Sequence, residues 1–207
     1  MKEIPEYEKD LASIRLMMER SVKFVSLSGL SGVLAGIYAL LGAALAYWLL
    51  YYPQPPFGFE FNAEPTNETI FYLILLAGIV LAASLLTGYA LSLQKAKKLN
   101  VSIWSKASQQ LLLDLAIPLV AGGLLMLILM WRGYFGIVAP ASLIFYGLAL
   151  AHASRNTYKE VQYLGFFEIA LGLLCALLPG YGLIFWAIGF GLLHLVYGIL
   201  MHYRYDQ

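Results

Sequence analysis

The chain has 207 residues, 61% of them hydrophobic and 12% charged, with a net charge of +1 and a mean hydropathy of +0.75. A soluble domain is about 45–50% apolar and about 25% charged, so this much apolar surface calls for lipid around it rather than one large soluble core. The near-neutral balance offers no surface for nucleic acid, and the single cysteine, Cys175, excludes an internal disulfide or a cysteine metal cluster.

Residues 1–24 are too charged to span a membrane. Pro5 suits a first helical turn. Leu11, Ile14, Met18, Val22 and Val25 then recur at helical spacing, opposite Glu8, Arg15, Glu19 and Lys23. The pattern predicts an amphipathic helix that either lies on the membrane surface or docks a cytoplasmic partner through residues 6–24. The mixture of acids and bases before the first apolar run is not that of a cleavable signal peptide.

Six apolar runs follow, at about 25–50, 69–93, 109–131, 134–154, 161–178 and 182–203, each long enough to cross a bilayer as a helix. In the first, Ser28, Gly32 and Gly36 fall at every fourth position and form a small-residue stripe, fit for close helix packing within the chain or between copies in a homo-oligomer. Residues 51–68 form the one long loop, rich in proline and aromatics and without Lys or Arg, as expected of a cap at the headgroups. Pro118 predicts a kink in the third span. Gly133-Tyr134 and Gly180-Tyr181 mark tight turns, and residues 204–207 form a short tail.

Orientation follows from the basic residues in the short connections. Lys2, Lys9, Arg15, Arg20 and Lys23, then Lys95, Lys97, Lys98 and Lys106, then Arg155, Lys159 and Arg204 all fall on one side, and only Arg132 falls on the other. Six spans with both termini cytoplasmic satisfy that asymmetry.

The expected fold is therefore all-α, a polytopic bundle of six transmembrane helices arranged as three hairpins behind an N-terminal interfacial helix. The second and third hairpins resemble one another. Asp114-Leu115-Ala116-Ile117 matches Glu168-Ile169-Ala170-Leu171 in character, and both return helices place a glycine five residues before a histidine, Gly147 before His152 and Gly189 before His194. Such a pair would be a parallel repeat.

These ionisable residues are the candidate site, because charge within a membrane span is costly. Counted from Gly133, Asp114 and His152 each lie nineteen residues away; counted from Gly180, Glu168 lies twelve and His194 fourteen. At about 1.5 Å per helical residue each carboxylate therefore lies level with one imidazole, which predicts the pairs Asp114 with His152 and Glu168 with His194. Serines and threonines of the first two spans share that half of the bundle, and a polar pocket open to the cytoplasm is the expected consequence.

Such pairs have three readings: hydrogen bonds that fix helix register, a ligand or proton pocket at Glu168, His194, Asp114 and His152, or a metal centre. No helical H-x-x-x-H or E-x-x-H spacing supports the metal, no nucleophile triad or phosphate loop is present, and no cofactor is expected. The favoured function is a non-enzymatic membrane sensor or accessory subunit. The alternative is proton-coupled small-molecule transport or metal-assisted chemistry at the acid–imidazole pairs.

The run Met17-Met18-Glu19-Arg20-Ser21-Val22-Lys23-Phe24-Val25-Ser26-Leu27-Ser28-Gly29-Leu30-Ser31-Gly32 resembles the start of a group of bacterial six-helix membrane proteins with no known activity, and Gly189-Phe190-Gly191-Leu192-Leu193-His194-Leu195-Val196-Tyr197-Gly198 resembles their last span. The resemblance implies a bacterial inner-membrane setting and carries no site residues. The hairpin arrangement is similar, in architecture alone, to small six-helix stress-response membrane proteins.

Overall fold

A computed structural model describes residues 28–52 and 66–206. The amphipathic segment 1–24 and most of the proline-rich 51–68 loop lie outside the described residues.

Six helices, each long and apolar enough to cross a membrane, make up the described chain: α1 (Gly29–Leu50), α2 (Asn67–Lys98), α3 (Lys106–Trp131), α4 (Phe135–Asn156), α5 (Lys159–Leu177) and α6 (Gly182–Tyr205). No strand occurs among the described residues. This is the architecture of a multi-pass membrane protein, and side chains such as Leu41, Leu86, Ile117 and Leu177 lie exposed along the helices, where lipid rather than water is their natural solvent.

The helix ends follow local chemistry. Thr66 caps α2 by accepting from the Thr69 N–H at 3.2 Å, and Ser105 caps α3 by accepting from the Ser108 N–H at 3.1 Å. α2 runs on past residue 93 to Lys98, because Lys95, Lys97 and Lys98 complement the partial negative charge of its last turn. α3 continues as one helix through Pro118. Gly133 and Gly180, at φ 83° and 89°, make the α3–α4 and α5–α6 turns with a backbone conformation that a side chain would strain.

The helices do not pack simply as consecutive pairs. α1 lies against α2 and α3 against α4, but the most extensive interfaces are those of α4 with α5 and of α1 with α6. Glycines explain this pairing. A Cβ on Gly147 would come 2.5 Å from the Gly165 carbonyl, and one on Gly165 2.7 Å from the Gly147 carbonyl, so α4 and α5 touch backbone to backbone. On the other side of the bundle a Cβ on Gly32 would meet Gly198 Cα at 3.0 Å, and one on Gly36 the Gly191 carbonyl at 2.7 Å. The stripe of Ser28, Gly32 and Gly36 thus faces α6 of the same chain. α2 rests chiefly on α1, and the most apolar stretch of α2 buries none of its residues.

α6 is not a uniform helix. Gly182–Trp186 is α-helical, Ala187–Leu193 forms a π-helical segment, and His194–Tyr205 is α-helical again. Such insertions disturb the regular ladder and often mark functional positions.

Candidate functional site

Glu168 is reached from α5, one turn beyond the close contact at Gly165. Its exposure is 0%, and neither carboxyl oxygen has a hydrogen-bond partner. The space it occupies is made by Gly189 of α6, where a Cβ would lie 2.5 Å from Glu168 Oε2 and equally close to Leu143 Cδ2.

His194 follows the π-helical segment and is itself buried. Its Nδ1 lies 3.0 Å from the Gly189 carbonyl oxygen and 3.5 Å from Glu168 Oε1, and its Nε2 lies 2.7 Å from the Tyr146 hydroxyl. A carbonyl can only accept, so Nδ1 carries a proton and donates it to Gly189. In the neutral ring Nε2 then accepts from the Tyr146 O–H; in the imidazolium it donates to the same oxygen. Either way His194 is satisfied and Glu168 is not. The Phe190 ring packs at a tilt against Tyr146 and Trp186, with ring centroids 5.0 and 4.9 Å apart, closing the site with aromatic rings. Tyr197, one turn further along α6, is half-buried, and its hydroxyl oxygen is buried without a partner. Tyr146 and Tyr197 both pack on the Leu150, Val161 and Leu164 cluster.

The Asp114 group lies between α3 and α4 and is differently made. Asp114 is buried but well supplied with donors: Gln110 Nε2 at 2.8 Å, Asn156 Nδ2 at 2.6 Å and His152 Nε2 at 3.3 Å. The amide of Gln110 reaches it from one turn earlier on α3, and that of Asn156 from the last turn of α4. Two amides and an imidazole answer the lone pairs of one carboxylate, so this group is built as a clasp between helix ends. The His152 side chain keeps 46% of its surface exposed.

A third constellation gathers at the same end of the bundle. Asp206 Oδ2 accepts from the Gly29 N–H at 2.8 Å and the Ser28 hydroxyl at 3.2 Å, and lies 3.3 Å from His202 Nδ1; Oδ1 pairs with Lys95 Nζ at 2.6 Å. Asp206 therefore caps the N-terminus of α1, whose own Ser28 makes no side-chain cap. Burial works against its charge, but the hydrogen bonds from Lys95, Gly29 and His202 outweigh it, and the carboxyl is held below its usual range. Beside it Arg204 pairs with Glu160 at 2.9 Å, and the Tyr205 hydroxyl donates to the same Glu160 oxygen at 3.0 Å. Burial, with Asp206 and Glu160 nearby, pushes the Tyr158 phenol up.

The four candidate residues thus fall into two separate groups, Glu168 with His194 and Asp114 with His152. No three His, Cys, Asp or Glu side chains converge on a common point among the described residues, so the geometry gives the metal reading no support. Glu168 and His194 are sealed by packing, not placed on an open pocket.

Tyr146, Tyr197 and Asp206 were not among the candidates. Tyr146 was within reach: it stands thirteen residues from Gly133, beside fourteen for His194 from Gly180, so the same level count extended to phenols places it next to the imidazole. Asp206 carried no such signal, since a tail residue beyond the last span has no periodicity to read.

Comparison with protein-family models, with curated proteins and with solved structures finds no match.

Proposed function

We propose that this is a non-enzymatic multi-pass protein of the bacterial inner membrane, with both termini in the cytoplasm, working as a sensor or accessory subunit whose responsive element is Glu168 with His194. The observation that carries this reading is the orphaned carboxyl of Glu168, fully buried in a membrane-spanning bundle with both oxygens unpaired. A group satisfied from within would be a register lock, like the Asp114 clasp. An unsatisfied one takes up whatever supplies a donor, and the smallest candidates are a proton, a water or a compact cationic ligand. His194 Nδ1 lies 3.5 Å away with its proton already given to the Gly189 carbonyl, so a proton taken up from outside the pair, on a Glu168 oxygen or at His194 Nε2 beside Tyr146, changes the charge balance of the site.

The orientation rests on the basic residues, all but Arg132 of which fall on the side where Asp206 lies. In this reading the chain is three hairpins, and segment 6–24 is the surface through which a cytoplasmic partner senses the state of the bundle.

The test uses the full chain in lipid vesicles. Trp186 contacts Phe190, which contacts His194, so its emission reports on the site. Stepping from about pH 8 to about pH 5, the range over which imidazoles change charge, should shift that emission in the wild type. The shift should be absent in the Glu168→Gln, His194→Gln double variant and from Trp186→Phe. A double variant that responds like the wild type would refute the assignment. Removal of residues 1–20 should leave the emission shift intact and abolish recovery of a crosslinked partner; unchanged recovery would refute the role of that segment alone.

A further inference from the structure

A surface groove of about 560 Å³ lies between α3, α4 and α5. It is graded along its length. Arg155 and His152 line the end at the last turn of α4, and Ile117, Phe145, Leu148 and Phe166 line the deeper part. Arg155 to Phe145 spans ten residues, about 15 Å of helix, or half of a hydrocarbon core about 30 Å thick. One end is therefore at headgroup level and the rest runs down a single leaflet.

The charge balance at the polar end is positive. Arg155 is exposed and has no carboxylate partner among the described residues. Asp114, which lies 3.3 Å from His152, is buried and already accepts from Gln110 and Asn156, and it makes no ion pair with the guanidinium. A guanidinium fork beside an exposed imidazole fits a phosphate diester. The apolar walls below fit an acyl chain. By contrast, the smaller groove between α1 and α2, about 240 Å³ and lined by residues such as Leu45, Trp48 and Leu75, has no cation.

We infer that the groove between α3, α4 and α5 is a binding site for one anionic phospholipid of the leaflet at the Asp206 end, its phosphate on Arg155 and His152 and one acyl chain along Phe145, Leu148 and Phe166. Basic clefts between membrane helices on this face select anionic headgroups. The inference rests on the chain spanning a bilayer and is independent of any role for Glu168.

The experiment is native mass spectrometry of the purified full chain, equilibrated in micelles with equal amounts of phosphatidylglycerol and phosphatidylcholine. The wild type should retain phosphatidylglycerol with about a fivefold preference, the value expected for one interfacial cation. Arg155→Ala should erase the preference and Arg155→Lys restore part of it. Lys159→Ala, which removes an exposed cation at the same end outside the groove, should keep it. Leu148→Trp should reduce retention of both lipids by filling the apolar part. The inference is overturned if the wild type shows no preference, if Arg155→Ala leaves it unchanged, if Lys159→Ala lowers it equally, if excess inorganic phosphate displaces the lipid, or if lipid is carried only by dimers.

Discussion

Replacing Glu168 by methionine should make the protein more stable. The side chain is wholly buried and its two oxygens have no partners. Each such orphan costs roughly 1–3 kcal/mol of desolvation that nothing repays. The one interaction lost is the 3.5 Å approach to His194 Nδ1, whose proton is already given to the Gly189 carbonyl at 3.0 Å, so His194 keeps both of its hydrogen bonds. Methionine occupies a similar volume in the space beside Gly189, and it bends where Gly189 and Leu143 press against it. Swapping buried ionisable groups for apolar ones of like size gains about 1–4 kcal/mol in other proteins, and a net gain of about 1–3 kcal/mol is expected here. Thermal and detergent-titrated unfolding in micelles would measure it, at about 2–4 °C for each kcal/mol in a chain of this length. Glu168→Gln, which keeps the shape and adds an amide to be satisfied, should fall between wild type and Glu168→Met. A Glu168→Met protein less stable than wild type by about 1 kcal/mol or more would refute the reasoning, because the carboxyl would then be a net stabilising partner of His194.

Three further outcomes follow from the same geometry. Gly36→Ala should destabilise by about 1–3 kcal/mol, because its Cβ would stand 2.7 Å from the Gly191 carbonyl and 2.8 Å from the Leu195 nitrogen, whereas Gly78→Ala meets nothing within 4 Å and should be neutral or slightly stabilising in the same unfolding assay. Asp206→Asn should cost about 1–2 kcal/mol at neutral pH through its weakened bonds to Lys95 and Gly29. Its folded carboxyl titrates below the ordinary value of 3.8, so that contribution is present above pH 3.8 and lost as pH falls through the lower folded value; the gap between wild type and Asp206→Asn in melting temperature should close there. Deleting Ile188 from the π-helical segment should shift the Gly189–Glu168 contact against the Gly32–Gly198 contact and lower stability, and unchanged unfolding would mean that the irregular segment does no structural work.

Much of the fold was legible because lipid imposes a coarse rule: a run of apolar residues must be a helix, and the runs are separated by glycine turns and basic connections. The level count that brought Glu168 beside His194 and Asp114 beside His152 works for the same reason, since rise per residue is constant within a span. What the count cannot supply is azimuth. It ranks residues by depth but does not say which face of α6 meets α1, so the hairpin picture gave α5 as the natural neighbour of α6 while the glycines of α1 and α6 make a closer fit. Azimuth also separates the two acids. Asp114 has amide donors one turn away on α3 and at the end of α4, whereas the one donor near Glu168, His194 Nδ1 at 3.5 Å, is given to the Gly189 carbonyl and leaves both carboxyl oxygens without a hydrogen bond. Two carboxylates that look equivalent in sequence are thus a satisfied clasp and an unsatisfied centre.

The persistence of that unsatisfied centre follows from the packing around it. α6 is wedged between two faces: Gly191 meets Leu40 of α1, while Gly189, two residues earlier in the π-helical segment, meets Glu168 of α5 and Leu143 of α4. Both contacts press neighbouring side chains against the α6 backbone, so α6 is packed closely on two sides. α5 is held in turn by Gly147 against Gly165 and by Gly172 against Ile144 and the Pro140 carbonyl. In a loosely packed bundle Glu168 could swing toward a donor or toward the headgroups, as long side chains do near the ends of membrane helices. Here the close contacts fall on the π-helical segment of α6, where the hydrogen-bond ladder is irregular and the Gly189 carbonyl is shared with His194. In the proposed reading, a donor that reaches Glu168 would act on the helix at its least regular point, next to the Gly191 contact with α1. α1 leads directly from the N-terminal segment, so a proton or small ligand bound at the centre has a packed route to the part of the chain proposed to meet a partner.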